Sequence, residues 1–339
     1  MEKSDDLGSH ISQEMSNFSA FHPEFFLLMG VPGLEDSHLL ISIPFSIMYF
    51  LSLLGNTIMV LVISTHESLH QPMYIFLMML ALTDVFLTSS TIPKTLSIFW
   101  FGSHKIYYNG CLAQVFFIHF NFGTESAILL SMAYDCYFAI CKPLTYSSSL
   151  TGTFIWKIAM VALFRSFCII TPFVFLLKRL PFQQSNLIEH TYCEHMSVAK
   201  LATADISVNV VYGLIIAACS AGLDMILIVV SYTIIVSAVL RLPSSEARFK
   251  AFNTCVSHIC VIILFYIPAF FSFIAHRVGH EHISLEFHII FANLYVLVPP
   301  MMNPIIYGIK TREIQQRFFA IVCKVICDDF VARVSLTKR

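Results

Sequence analysis

Seven apolar stretches, each long enough to cross a lipid bilayer as a helix, constrain this chain more than any other feature. About 20 helical residues span a bilayer core. The stretches run over Leu39–Ile63, Met73–Ile98, Cys111–Phe138, Phe154–Leu177, Ser207–Leu240, Ala251–Ala275 and Phe287–Ile309. Only 12% of the residues are charged, whereas a soluble domain carries roughly 25%. The sequence therefore predicts an all-α membrane protein, a bundle of seven transmembrane helices.

Other membrane architectures and nucleic-acid binding fit the sequence less well. Strand alternation is weak, which argues against a β-barrel. A transporter usually shows two related halves, and no such repeat is evident. The net charge is −1, so the chain has no electrostatic footprint for nucleic acid. We expect no nucleic-acid partner.

An odd number of spans places the two termini on opposite sides of the membrane. If the C-terminus is cytoplasmic, twelve of the 20 Lys and Arg residues lie inside and seven outside, with Arg165 in a span. That excess favours an extracellular N-terminus. We predict an extracellular tail over residues 1–37, a bundle over 38–309, and a cytoplasmic tail over 310–339. Translation from Met1 and from Met15 are both consistent with the sequence.

Two modifications are expected on the outer side. Asn17 begins an N-x-[ST] sequon in the extracellular tail, so we predict a glycan there. Only Cys111 and Cys193, of the ten cysteines, face the oxidising side in this topology. A disulfide between them is the one bridge that the compartments allow. The alternative is two free thiols.

The cytoplasmic tail begins with a segment that we predict to be a short amphipathic eighth helix on the membrane surface. It would contact membrane lipid through Phe318 and Phe319. Cys323 and Cys327 lie beside these residues and could carry palmitate. Unmodified thiols are an equally good interpretation.

Short motifs in a fixed order resemble those of olfactory receptors, a large group of rhodopsin-like G-protein-coupled receptors. The strongest is MAYDCYFAICKPLTY over Met132–Tyr146. The others are Gly55-Asn56, Leu69–Tyr74, Leu82-Thr83-Asp84, Ser231-Tyr232, Lys250–Cys255 and Pro299–Tyr307. Further details, such as Val31–Glu35 and Leu177–Phe182, look like the class I, or fish-like, branch. The resemblance implies a plasma-membrane odorant receptor that signals through a stimulatory olfactory-type G protein.

Two departures from the family pattern stand out. Cys136 occupies the place of an arginine that helps such receptors engage their G protein. Cysteine offers neither a charge nor a strong donor, so we expect impaired coupling. The alternative is a receptor-like binding or trafficking protein that no longer couples. Gln183 and Thr203 stand where the branch usually has a second pair of loop cysteines.

The resemblance also assigns the residues that would switch the receptor. The residues for G-protein coupling and switching are Asp135, Cys136, Tyr137, Tyr232, Asn303 and Tyr307. Asn56 and Asp84 would form a polar core with Asn303, similar to the centre that holds water or sodium in rhodopsin-like receptors. A purely structural hydrogen-bond network is the alternative. Buried ionisable groups in membranes are usually functional, so we favour a switch.

A ligand would bind in the outer half of the bundle, between helices and under the second outer loop. Class I receptors often recognise acids, and by resemblance Arg277 would anchor a carboxylate. His119, two turns below Cys111, would add a polar contact. Apolar wall would come from Phe120, Phe270, Phe273 and Tyr295. Alternatively, Arg277 is a solvated loop cation and the wall residues are ordinary packing.

Nothing in the sequence predicts catalysis or a bound cofactor. Motifs of hydrolases and of phosphate-binding loops are not evident. His276, His280 and His282 crowd the third outer loop and could bind Cu²⁺ or Zn²⁺ through imidazole. A solvated loop is the simpler interpretation, and we expect neither a metal nor enzymatic activity.

Overall fold

A computed structural model describes residues 22–182, 185–278, 284–310 and 313–316, without the side chains of residues 250, 254, 275–278, 309 and 310. Seven long helices dominate it. They are α1 His38–Thr65, α2 Pro72–Phe101, α3 Tyr108–Cys141, α4 Gly152–Lys178, α5 Ser207–Leu240, α6 Ser245–Val278 and α7 Leu285–Lys310. Each is long and apolar enough to cross a membrane, so the seven-helix prediction is confirmed. We call the end that carries Cys111 the outer end and the opposite end the inner end.

Six of the seven helices extend beyond the apolar stretches that predicted them, and α5 has the predicted bounds. The largest extension is in α6, which begins at Ser245 rather than at Ala251. Its first turn is polar, and the Ser244 hydroxyl accepts a hydrogen bond from the Ala247 N–H at 3.1 Å. Such a cap satisfies a backbone donor that has no partner within the helix. Hydropathy follows the apolar core of a span and misses polar ends of this kind.

The outer loops add a small sheet that the sequence analysis did not predict. The order is β2-β1-β3, formed by β1 Phe25–Leu28, β2 Lys105–Tyr107 and β3 Leu187–Ile188. Strand β1 runs antiparallel to β2 and parallel to β3. Part of the predicted extracellular tail is therefore fixed to the first and second outer loops. The strands are too short for an alternating pattern to be recognised.

Helix α5 contains a π-helical segment, Ala217–Gly222, between two α-helical parts. Its wider turn brings the chain close to itself: a Cβ atom on Gly222 would lie 3.3 Å from the Ala217 carbonyl oxygen. Such segments insert one residue and change the register of the helix beyond them. Asp224 lies two residues beyond this segment and faces the bundle interior, with 1% of its surface exposed.

The apolar core has an outer and an inner part. The outer part surrounds Cys111 and Cys193 and includes residues of the sheet. The inner part surrounds Cys136, Tyr232 and Tyr307. Large apolar side chains on the outside of the bundle, such as those of Phe50, Phe86 and Trp156, are exposed, as expected of surfaces solvated by lipid.

A close approach of two helices fixes α1 against α7. A Cβ atom on Gly55 would lie 2.7 Å from Cγ of Pro304, so only glycine fits there. Beyond α7, residues 313–316 form one helical turn, and the Tyr74 hydroxyl donates a hydrogen bond to the Glu313 carboxylate. That turn lies where the eighth helix was predicted. Most of that helix, its palmitoylation sites, Asn17 and Gln183 lie outside the described residues.

Candidate functional site

Two adjoining cavities, of about 680 Å³ and 710 Å³, lie in the outer half of the bundle. The first is bounded by α3, α4, α5 and α6, and the second by α3, α5, α6 and α7. Residues that line both are His119, Phe122, Glu194, Ala217 and Phe273. The cavities therefore form one divided space at the depth where a ligand site was predicted.

The second outer loop forms the roof of this space. Cys193 is bonded to Cys111, and this finding matches the predicted disulfide. The Cys193 N–H donates to Oε1 of Gln114 at 2.8 Å. Next to it, the Thr191 hydroxyl donates to Oδ1 of Asn293 at 2.9 Å and the Tyr192 hydroxyl donates to a carbonyl of α7. The loop is thus tied to α3 and α7.

Tyr192, which belongs to the second outer loop, lines the second cavity. Burial, and to a smaller extent the neighbouring Glu194 carboxylate, raise the pKa of the Tyr192 phenol above its ordinary value. The phenol therefore stays neutral at physiological pH. It can offer a neutral polar surface, but no charge, to a bound molecule.

Four of the six predicted ligand residues line the cavities: His119, Phe270, Phe273 and Tyr295. The His119 ring packs edge-on against Phe173 with centroids 5.0 Å apart. Its Nδ1 lies 2.9 Å from the Val115 carbonyl oxygen, so the geometry favours a proton on Nδ1. The ring is therefore held in one orientation at the boundary between the two cavities.

Phe120 does not line either cavity. The Phe120 ring stacks on Phe116 at 5.5 Å, and Phe116 contacts Phe167 of α4. We therefore omit Phe120 from the proposed contacts. The side chain of Arg277 lies outside the described residues, although its backbone belongs to the last turn of α6.

Glu194 is a cavity residue that the sequence analysis missed. Its Oε2 accepts hydrogen bonds from the backbone N–H groups of Met196 at 2.7 Å and Ser197 at 2.9 Å. These bonds cap the short helix His195–Ala199 and fix the carboxylate beneath the loop. The sequence did contain a signal for Glu194. It directly follows Cys193, and a disulfide from Cys193 to the top of α3 places this part of the loop over the bundle.

A buried ion pair lies at the floor of the first cavity. Both terminal nitrogens of Arg165 donate to Asp224, at 2.7 Å each. Ser126 donates to Oδ2 of Asp224 at 2.7 Å and lies 2.8 Å from the Tyr266 hydroxyl. The network joins α3, α4, α5 and α6. Charged residues within membrane spans need partners, but the sequence alone does not pair Arg165 with Asp224.

The predicted polar core is assembled around Asp84. The Asn303 amide donates to Oδ2 of Asp84 at 2.9 Å. The Asn56 amide instead donates to the Pro300 carbonyl at 2.7 Å, which ties α1 to α7. Glu125 is buried on α3 close enough to Asp84 for their charges to interact. The cluster therefore links four helices.

At the inner end, Asp135 has a hydrogen-bond partner although the arginine that the family carries next to it is absent. The Tyr146 hydroxyl donates to Oδ1 of Asp135 at 2.8 Å. Burial and the adjacent Asp135 raise the pKa of Tyr146, so its phenol keeps the proton that it donates. Tyr137 lies two residues after Asp135, and the Lys142 ammonium lies over its ring, 5.9 Å from the ring centroid.

Cys136, Tyr232 and Tyr307 are brought together in the buried inner core. Cys136 is 1% exposed and belongs to the same apolar cluster as Tyr232 and Tyr307. The position where the family has an arginine is therefore occupied by a neutral, buried thiol. Of the predicted switch residues, these three therefore lie together, whereas Asn303 pairs with Asp84 and Asp135 bonds to Tyr146.

Seven membrane helices, a roofed outer cavity, and polar clusters at the floor and inner end together define a receptor of the rhodopsin-like, seven-helix class. The sequence model described as olfactory receptor matches residues 45–325. The chain is 52% identical to human olfactory receptor 52D1 over 308 residues, which are 91% of this chain and 97% of that receptor.

Human olfactory receptors 52H1 and 52B2 are similarly close. Receptor 52H1 is 52% identical over 91% of this chain and 98% of its own length. Receptor 52B2 is 51% identical over 90% of this chain and 96% of its own length. The chain belongs to the olfactory receptor family. This result confirms the predicted family, its class I branch and its function as a receptor rather than an enzyme.

Proposed function

We propose that this receptor detects a small, weakly acidic odorant in the roofed cavity and signals through a heterotrimeric G protein of the stimulatory olfactory type. Its N-terminus would be extracellular and its C-terminus cytoplasmic, in the plasma membrane. The observation that carries the proposal is the cavity itself. It lies between helices in the outer half of the bundle and under the second outer loop, which is where small-molecule sites in helical bundles are found, and its walls are mostly apolar.

The cavity walls suit a molecule that is mostly apolar. Aliphatic side chains line the walls together with aromatic rings from α3, α4, α6 and α7, which include Phe122, Phe173, Phe270 and Phe273. Polar groups are few and are fixed by the protein, as at His119 and Glu194. A ligand with an aliphatic body and one polar head group fits this arrangement.

The weak-acid assignment depends on Arg277. This residue is four positions beyond Phe273 in α6, so the two occupy one face of the helix, a turn apart. Phe273 lines both cavities. An arginine one turn nearer the outer end can pair with a carboxylate whose tail occupies the cavity. The alternative is an arginine that interacts only with solvent.

A panel of carboxylic acids and the matching alcohols tests this assignment. Losing a charge-assisted hydrogen bond costs about 1.5–3 kcal/mol, or roughly 10- to 100-fold in potency. Arg277→Ala should cause a loss of that size for acids and little change for alcohols. Lys178→Ala, which removes an exposed outer cation, is the matched control. Equal responses from wild type and Arg277→Ala would exclude the carboxylate anchor.

A ligand in the cavity would act on the ion-pair network at its floor. Arg165 lines the first cavity and holds Asp224, which is bonded through Ser126 to Tyr266 of α6. A molecule can shift a conformational equilibrium only by binding one state better than the other. We propose that occupancy changes how α5 and α6 pack on α3 at this network and thereby opens the inner end.

A receptor-like protein that no longer couples is the second candidate. The burial of Cys136 supports it, because the inner end then has no cation at the position that meets the G protein. Cys136→Arg in a cyclic-AMP reporter assay distinguishes the two candidates. A gain of response, with equal surface expression, would show that coupling is the impaired step. No gain across a broad odorant panel would count against a coupling defect.

A further inference from the structure

The first cavity contains a buried hydroxyl group that has no partner within the described part of the chain. The hydroxyl belongs to Ser166 of α4, which lines the cavity and is 2% exposed. Among the described side chains that line the two cavities, only Ser166 has a buried polar atom without a hydrogen bond. Leaving a buried hydroxyl unpaired is unfavourable. A molecule in the cavity that bonds to this group would remove that unfavourable contribution.

The Ser166 hydroxyl does not use the partner that helices usually provide. A buried serine in a helix can donate to the carbonyl group one turn earlier, as Ser131 does to Ala127 at 2.7 Å. Ser166 makes no such bond within α4, all of which is described. A Cβ atom on Gly123 of α3 would lie 3.1 Å from Ser166 Oγ. Because Gly123 also lines the cavity, its missing side chain leaves space beside this oxygen.

Arg165, the neighbour of Ser166, brings further donors to the cavity wall. Its guanidinium carries five N–H groups. Two of them donate to Asp224 and one donates to the Gly123 carbonyl at 3.1 Å, and the other two have no hydrogen-bond partner among the described residues. Asp224 already balances the charge, so a second buried carboxylate would remain unpaired. Together, Ser166 and Arg165 therefore favour a neutral oxygen that accepts hydrogen bonds.

We propose that Ser166 and Arg165 form a polar subsite in the first cavity that binds a ketone oxygen of the odorant. The proposal rests on the proposed function and refines its ligand class from a weak acid to an oxo acid. Gly123, beside Ser166, lies twelve residues from Cys111 along α3, which corresponds to about 18 Å. Arg277 lies in the last outer turn of α6. The two polar groups of the ligand would therefore be separated by several carbon atoms.

Ligand-dependent stabilisation of the purified full-length receptor tests the subsite without a G protein. A ligand that binds only the folded state raises the inactivation temperature, and the concentration dependence gives its affinity. The probes are decanoic acid, its analogues with one ketone at successive chain positions, and the corresponding decanones, which lack the carboxylate. Wild type should bind the best oxo acid roughly fivefold tighter than decanoic acid, because one net hydrogen bond contributes a factor of that size. The gain should depend on the position of the ketone, since the donors are fixed.

Ser166→Ala should bind decanoic acid as wild type does and should lose the preference for the oxo acid. Gly123→Ala would place a carbon atom 3.1 Å from the hydroxyl oxygen and should reduce the same preference. Ser131→Ala is the matched control and should retain it, because this buried hydroxyl bonds within α3 and lies outside both cavities. Without ligand, Ser166→Ala should inactivate at no lower temperature than wild type, since the hydroxyl that it removes is unpaired.

Equal affinities of wild type and Ser166→Ala for every oxo acid would overturn the subsite. A ligand-free Ser166→Ala receptor that inactivates at a lower temperature than Ser131→Ala would also overturn it, because the hydroxyl would then have a structural role. Binding of decanoic acid with no preference for any oxo analogue would refute the subsite and leave the proposed function intact. Binding of a decanone that depends on Ser166, with no binding of the acids, would refute the acid assignment and leave the subsite intact.

Discussion

Replacing Asp224 with asparagine tests how strongly the buried ion pair holds the outer half of the bundle. The aspartate accepts two bonds from Arg165 and one from Ser126, all at 2.7 Å, and is 1% exposed. Asparagine keeps the shape but removes the charge that Arg165 requires. The guanidinium would then lie within the membrane without a counter-ion.

Breaking a buried pair by removing one partner costs about 3–5 kcal/mol. The Arg165 side chain is 27% exposed to the cavity, which allows partial hydration. We therefore expect Asp224→Asn to lower the free energy of unfolding by about 3 kcal/mol, the lower end of this range. That loss corresponds to roughly a 100-fold shift in the folding equilibrium. Removing both charges with Arg165→Met and Asp224→Leu should cost much less, because no unpaired charge remains.

The measurements are surface expression and the thermal inactivation of purified receptor. Asp224→Asn should show much lower surface expression than wild type and should inactivate at a lower temperature. The double variant should recover most of the lost expression and thermal stability. Asp36→Asn, an exposed acid near the start of α1, is the matched control and should behave as wild type. A double variant as unstable as Asp224→Asn would refute this reasoning, because the loss would then come from shape rather than charge.

Three further predictions concern stability and processing. Cys193→Ser should remove about 4 kcal/mol of stabilisation, because the disulfide closes a loop of 82 residues. In a melting assay, a reducing agent should lower the melting temperature of the wild type but not that of the variant. Gly55→Ala should destabilise by about 1–3 kcal/mol through overlap with Pro304, whereas Gly308→Ala, with nothing near its Cβ, should be neutral in the same assay. Asn17→Gln should abolish the mobility shift that a glycosidase produces on a gel; an unchanged shift would place the glycan elsewhere.

Hydropathy predicted the number and order of the membrane helices because lipid solvation requires long apolar runs. It could not predict the sheet of the outer loops, whose β1 has only four residues. It also could not predict the π-helical segment at Ala217–Gly222, since this departure arises from packing rather than from composition.

The candidate site was predicted in part. His119 was selected for its distance from Cys111 along α3, and it lines both cavities. Its contact with a ligand stays a prediction. Phe120 was selected for its aromatic character, and helical rotation places it elsewhere. The pairing of Arg165 with Asp224 joins helices far apart in sequence. The same is true of the bond from Tyr232 to His258, and only the folded bundle reveals such partners.

The most direct test of the account is the cyclic-AMP response of Cys136→Arg to the acid panel, with and without His119→Ala, at equal surface expression. We predict a saturable response to at least one acid in Cys136→Arg. Adding His119→Ala should weaken it at least tenfold, because the fixed imidazole at the cavity boundary is lost. A response that is unaffected by His119→Ala would contradict the proposal that this cavity binds the odorant.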